Sequence, residues 1–144
     1  KAGRAIDLFA GAGTFALPLA AAGARVTAAD AAGPAIAALD QAARRAGLKV
    51  QAVHRDLFRR PYAAAELKGY EAAAIDPPRS GAASQTAELA ASGVARVAAV
   101  SCNPATFARD AERLVAGGFR CTRLWPVAQF RWSTHVELAA EFVR

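Results

Sequence analysis

Five short apolar runs alternate with segments of helical period along most of this chain, and that alternation limits the fold more than any other feature. The runs are Ala5-Ile6-Asp7-Leu8-Phe9, 25–29, 49–54, 70–75 and 96–100, and each reads as a buried strand. Helices are expected over 15–22, 34–46, 84–91 and 105–116, with a short one over 62–68. Pro34 marks a helix start, because proline fits the first turn, and Gly23, Gly47 and Gly117-Gly118 mark helix ends. Thr14 is expected to cap the first helix. Strands joined through helices pair in parallel, so the architecture is a doubly wound α/β sheet. Two final runs, 119–127 and 135–143, have no helix between them. One of those two is therefore expected to run antiparallel to its neighbours.

The 144 residues suffice for one domain with a real core and are too few for two. The first strand begins almost at residue 1, so residues 1–144 are expected to be one domain cut from a longer protein. Hydrophobic residues make up 54% and charged residues 21%, which excludes a disordered chain. No apolar run reaches membrane-spanning length and no signal-peptide pattern opens the chain. The two cysteines form neither a disulfide framework nor a metal-ligand spacing, so no metal site is expected, and the expected compartment is the cytoplasm. A net charge of +6 permits an anionic partner such as nucleic acid. The basic residues are spread along the chain, however, so charge alone supports that partner weakly.

Gly11-Ala12-Gly13-Thr14-Phe15-Ala16 fits G-x-G-x-x-G/A between a strand and a helix. Asp30 closes the next strand near the spacing expected for a ribose-binding carboxylate. A nucleotide-type cofactor follows, and the loop alone does not separate a dinucleotide from S-adenosylmethionine. Asp7 lies inside the strand that feeds the loop, where a dinucleotide site is usually apolar. An acidic group there suits a cationic ligand such as S-adenosylmethionine. Asp56, after the third strand, either hydrogen-bonds an adenine amino group or only caps the next turn.

Three motifs fall at strand exits. Asp76-Pro77-Pro78-Arg79 is a rigid, non-helical exit from the fourth strand that presents Asp76 and Arg79 at the ligand-binding edge. Ser101-Cys102-Asn103-Pro104 puts Cys102 between a strand end and a helix start, at the ligand-binding edge, where a cysteine can serve as nucleophile. Taken alone, Cys102 also fits a buried structural cysteine. Gln129-Phe130-Arg131-Trp132-Ser133-Thr134-His135-Val136-Glu137 mixes aromatics with His135 and Glu137 where a hairpin needs only turn residues.

With DPPR, SCNP and a terminal H-x-E in this order, the chain resembles the RNA uracil-5-methyltransferases, over nearly all its length but only their catalytic domain. The resemblance implies a Rossmann-like class I methyltransferase fold, S-adenosylmethionine as cofactor and 23S ribosomal or transfer RNA as partner. It implies Cys102 as nucleophile and Glu137 as base, with His135 the competing candidate. It implies cofactor contacts from Phe9, Thr14, Asp30 and Asp76, alongside Asp7, Gly11, Gly13 and Asp56 from the loop argument. Asp76 can instead meet the uracil edge. Thr14 stands where many members have Asn, Asp30 where many have Glu, and Arg131 where some have Pro. The family's RNA-binding and central domains, and the iron–sulfur cluster of some members, belong to parts upstream of this chain. Phe130 and Trp132 can stack on a base or pack in the core, and Arg79, Arg109 and Arg131 can meet phosphates or solvent. Cys121 is expected in the core, and His54 has no evident partner. The chain is expected to act as a monomer. Alternatives are a nicotinamide-dependent oxidoreductase, a non-catalytic RNA-binding module, and a methyltransferase that forms no covalent adduct.

Overall fold

A computed structural model describes residues 3–128 and 132–144. Its elements run β1 (Arg4–Leu8), α1 (Ala16–Ala21), β2 (Arg25–Asp30), α2 (Gly33–Arg45), β3 (Val50–His54), β4 (Ala72–Ile75), α3 (Ala83–Ala91), β5 (Arg96–Ser101), α4 (Pro104–Ala116), β6 (Arg120–Val127) and β7 (Glu137–Val143). The strands form one seven-stranded sheet in the order β3-β2-β1-β4-β5-β7-β6. Pairings from β3 across to β5 are parallel. β7 inserts between β5 and β6 and is antiparallel to both, which identifies the antiparallel strand expected from the missing helix.

Side chains alternate between the two faces of a strand, so β1 feeds two separate cores. Ala5 joins Val26, Ala28, Ala16, Ala20, Ile36 and Leu39 under α1 and α2. Ile6 and Leu8 join Ile75, Val97, Phe142, Leu89, Leu114 and Phe119 under α3 and α4. Ile36, Leu39 and Ala43 recur at three- and four-residue spacing and form the buried stripe of α2. Phe119 and Phe142 are the largest fully buried side chains, and each contributes roughly 2–3 kcal/mol by leaving water. On the face that α1 and α2 cover at β1 and β2, Ala98 of β5 and Trp125 and Val127 of β6 are exposed. Among the described residues no helix is long and apolar enough to cross a membrane.

Three local expectations are corrected. In place of the helix expected over 62–68, residues 64–69 form consecutive turns, closed by bonds such as Glu66 N–H to the Ala63 carbonyl (2.8 Å) and Tyr70 N–H to the Leu67 carbonyl (3.2 Å). The Tyr62, Ala63 and Ala64 N–H groups donate to Gln85 Oε1 (2.8 Å), Glu66 Oε2 (2.9 Å) and Glu88 Oε2 (2.7 Å). Thr14 does not cap α1. Phe15 occupies that position with helical backbone angles and no side-chain cap, and Thr14 is exposed. Cys121 is exposed, not in the core, because β6 is an edge strand exposed along its whole length.

Candidate active site

Strand register brings the candidate residues to one edge of the sheet. Leu8 pairs with Ala29 and with Ile75, so Phe9, Asp30 and Asp76 are adjacent at the carboxyl ends of β1, β2 and β4. The Asp76 N–H donates to the Leu8 carbonyl at 3.2 Å and extends that pairing by one step. Farther along, Ser101 pairs with Leu138, so Cys102 and Glu137 are the next opposed positions. Glu137 reaches this edge as the first residue of its strand because β7 runs against β5. Burial raises the Asp76 pKa, and the charge of nearby Glu137 raises it further.

The glycine loop is fastened to β2 by Asp30. Asp30 Oδ2 accepts from the Gly11 N–H at 2.9 Å, and Oδ1 from the Ala32 N–H at 2.8 Å. Each oxygen keeps a second acceptor position for a ligand. Gly11 has φ +54°, and a side chain there would meet nothing within 4 Å, so the loop backbone borders open space. Gly13 serves packing instead: a Cβ at its φ of +98° would lie 2.4 Å from Leu39 Cδ1. Phe9 also sits in the left-handed region at φ 63°, a strained conformation for a bulky residue. Its ring packs against Phe58 with centroids 5.4 Å apart.

A cavity of about 400 Å³ opens beside this loop, lined by Phe9, Asp30, Ala31, Leu57, Phe58, Asp76, Pro77 and Pro78. Of the expected cofactor residues, Phe9, Asp30 and Asp76 line it. Asp56 lies next to its wall and forms an Asx turn, with Oδ1 accepting from Phe58 N–H (2.9 Å) and Arg59 N–H (3.2 Å). The observed contacts of Asp56 are thus those of the capping alternative, and its Oδ2 lies 3.6 Å from Arg59 Nε. Leu57 and Phe58 were not singled out from the sequence, although an apolar pair in a loop after a strand end is a usable signal.

Arg55 was missed as well. Its guanidinium makes a forked pair with Glu66 (2.8 and 2.9 Å) and donates to the Arg60 and Pro61 carbonyls, both at 2.7 Å. It also lies 3.9 Å above the Tyr62 ring. Arg55 thereby closes the loop that carries Asp56, Leu57 and Phe58. The hydrogen-bonded guanidinium lowers the Glu66 pKa to about 2.

Asp7 is fully buried beneath the loop, and neither carboxylate oxygen has a hydrogen-bond partner among the described residues. Burial raises its pKa to about 7; the Ala16 amide, which faces it without closing a hydrogen bond, opposes the rise, while Asp76 and Asp30 add to it. An orphaned buried carboxyl is costly unless something balances it. With Asp30, Asp76 and Glu137, it makes this edge of the sheet attractive to a cation.

Cys102 is half-buried in a bend held by its neighbours: Ser101 Oγ donates to the Asn103 carbonyl and accepts from the Asn103 N–H, each at 3.1 Å. Glu137 is half-buried, whereas His135 is exposed and its N–H donates to Ser133 Oγ. Trp132 is 100% exposed, so it does not pack in the core. Phe130 and Arg131 lie outside the described residues. Arg79 and Arg109 are exposed, and Arg109 donates to the Ser80 carbonyl. His54 finds a partner in the Ala31 carbonyl, 2.8 Å from Nε2.

A family model described as tRNA (uracil-5-)-methyltransferase matches residues 48–142, most of the chain. An uncharacterized RNA methyltransferase of Rhizobium meliloti is 56% identical over 97% of this chain and 34% of its own length. A 23S rRNA (uracil(1939)-C(5))-methyltransferase of Pseudomonas fluorescens is 38% identical over 96% of this chain and 31% of its own. The chain thus spans about a third of the length of the curated relatives it matches. The Pyrococcus abyssi tRNA (uracil-54, C5)-methyltransferase, solved with S-adenosyl-L-homocysteine, superposes with a TM-score of 0.84 at 27% identity. That match covers 99% of this chain and 35% of the other. The chain belongs to the tRNA (uracil-5-)-methyltransferase family.

Proposed function

We propose that this chain is the catalytic domain of an enzyme that methylates C5 of a uridine in 23S ribosomal or transfer RNA, with S-adenosylmethionine as methyl donor. The observation that carries the proposal is the meeting of Cys102, Asp76 and Glu137 at one sheet edge, beside a cavity that favours a cation. The residues present fit the cofactor. The open cradle at Gly11 and the acceptor positions left on Asp30 suit its nucleoside, and the orphaned Asp7 carboxyl beneath the loop suits its positive charge. Phe9, Gly11, Asp30 and Asp76 would hold it, with Asp7, Gly13, Thr14 and Asp56 in support through charge, packing or loop shape. When bound, the cofactor supplies an electrophilic methyl group on a sulfonium sulfur.

Uracil C5 is a poor nucleophile, and the roles of Cys102 and Glu137 follow from that. The Cys102 thiolate adds to C6, forming an S–C6 bond and pushing the ring's π electrons toward C5 and the C4 oxygen. Once C5 carries both the methyl group and its hydrogen, Glu137 removes that proton. The released electron pair restores the C5–C6 double bond and expels the thiolate. Asp76 borders both the cavity and Glu137, so its carboxyl can meet either the cofactor or the uracil edge. The target base must leave its stack to reach this edge, and the exposed Trp132 offers an aromatic face to it or to a neighbour.

The test is a denaturing gel of the full-length protein with S-adenosylmethionine and RNA containing 5-fluorouridine. Fluorine cannot leave as a proton, so the adduct should persist as a shifted band that Cys102→Ala abolishes. Methyl transfer to ordinary RNA without such a band would refute the covalent route.

A further inference from the structure

The structure assigns a role to Asn103, the residue after Cys102: we infer that it is a positioning residue that holds the nucleophile in register with Asp76. The inference rests on the covalent mechanism proposed above and concerns a side chain with no part in the chemistry itself.

Asn103 uses both ends of its amide. Oδ1 accepts from the Ala105 N–H at 3.1 Å, which caps α4, the helix that Pro104 opens. Nδ2 donates to the Arg79 carbonyl at 2.9 Å. Arg79 ends the rigid exit that begins at Asp76. One side chain therefore joins the turn that carries Cys102 to the loop that carries Asp76.

The rest of the contact shows why that link fixes a distance. The Thr106 hydroxyl donates to the same Arg79 carbonyl at 3.0 Å, and Asp110 Oδ2 accepts from the Ala82 N–H at 2.7 Å. Thr106 and Asp110 are buried; the Asp110 contact binds the loop to α4 without involving the cysteine turn, whereas the Thr106 hydroxyl also lies 3.2 Å from the Asn103 carbonyl. On the other side, the Ser101 hydroxyl ties the turn to itself but not to the loop. Among the described residues, Nδ2 of Asn103 is the cysteine turn's own side-chain donor to the Asp76 loop, beside the Thr106 hydroxyl of α4 that touches both. Prolines 77 and 78 stiffen the short path back to Asp76, so a shift at Arg79 is passed to the carboxyl rather than absorbed.

Substitutions separate this role from ordinary capping. Asn103→Asp keeps an oxygen to cap α4 but turns a donor into an anionic oxygen facing the Arg79 carbonyl. Asn103→Ser keeps a capping hydroxyl but cannot span to Arg79. The experiment uses the full-length protein, following adduct formation on 5-fluorouridine RNA, steady-state methylation of ordinary RNA, S-adenosylhomocysteine affinity and thermal melting. Misplacing a reacting group by about 1 Å costs roughly 100-fold, so kcat and the adduct rate should fall by about that factor in both variants. The S-adenosylhomocysteine Kd should rise far less than kcat falls, because Phe9, Gly11 and Asp30 still hold the cofactor and only Asp76 shifts, and the RNA KM should stay within about threefold of wild type. Wild-type rates in Asn103→Asp and Asn103→Ser would overturn the assignment. So would a loss that follows melting temperature and cofactor affinity, since that is the behaviour of a cap alone. A wild-type enzyme that methylates RNA but traps no adduct would overturn the mechanism itself, a result distinct from either variant outcome.

Discussion

Asp7 offers the sharpest physical test of the site. Its carboxyl is fully buried without a partner among the described residues, and burial raises its pKa from 3.8 to about 7. A raised carboxyl pKa means that the folded chain keeps a proton that the unfolded chain releases. The stability associated with that proton is therefore fully present below 3.8 and is lost as pH rises toward 7. Each pH unit in that window costs about 1.4 kcal/mol, or about 4 kcal/mol in all. Asp7→Asn is nearly isosteric and cannot ionise, so it lacks this slope. Urea denaturation of both proteins should show the variant gaining on wild type by about 3 kcal/mol between about pH 5 and about pH 8. Comparing the two proteins cancels the titration of groups that do not sense Asp7; Asp76 and Asp30 do sense it and contribute less than burial does. A gap that does not change with pH would refute the reasoning, because Asp7 would then ionise in the fold as it does in water. The same Asp7→Asn change should weaken S-adenosylmethionine, since a neutral amide no longer balances a sulfonium.

Three further outcomes follow from the geometry. Arg55→Ala removes a forked ion pair, two carbonyl contacts and a cation above Tyr62, and should cost about 3 kcal/mol by denaturant unfolding. Arg55→Lys should recover little of that, because an ammonium cannot make the fork. Asp30→Ala frees the Gly11 and Ala32 amides and should weaken S-adenosylhomocysteine about tenfold or more by calorimetry, with roughly 1–2 kcal/mol lost from the fold. Glu137→Gln in the full-length protein should slow turnover by about 100-fold or more and let adduct accumulate on ordinary uridine RNA, as seen on a denaturing gel.

The sheet was legible in the sequence because its signals are local. Apolar runs, Pro34 and the glycine stops sit within a few residues of the boundaries they set, and the missing helix between β6 and β7 required an antiparallel strand. The failures arose where distant groups decided the outcome. Gln85 and Glu88 of α3 accept from the Tyr62 and Ala64 amides, and no local pattern announces those contacts. Arg55 looks like a surface residue until the chain returns Glu66 and Pro61 to it. Cys121 alternates as a core strand should, but β6 is the uncovered edge. DPPR, SCNP and H-x-E were readable as motifs, yet their meeting depends on strand order. Cys102 faces Glu137 only because β7, not β6, pairs with β5.

On the mechanism proposed above, that strand order gives the nucleophile and the base separate supports from which to approach one carbon. In a wholly parallel sheet every strand delivers its last residue to the ligand edge, and a helix follows at once, as α4 follows Cys102. A strand of opposite direction delivers its first residue there instead, after a loop. Glu137 therefore arrives from the loop that precedes β7, not from α4 or from the loop that Asn103 contacts. The thiol is held by the clasp at the head of α4, and the carboxylate by the hydrogen bonding of β7 between two strands. A base placed this way can be displaced without moving the nucleophile. Loss of Glu137 should consequently arrest the reaction after adduct formation, whereas loss of the Asn103 clasp should slow the formation of the adduct.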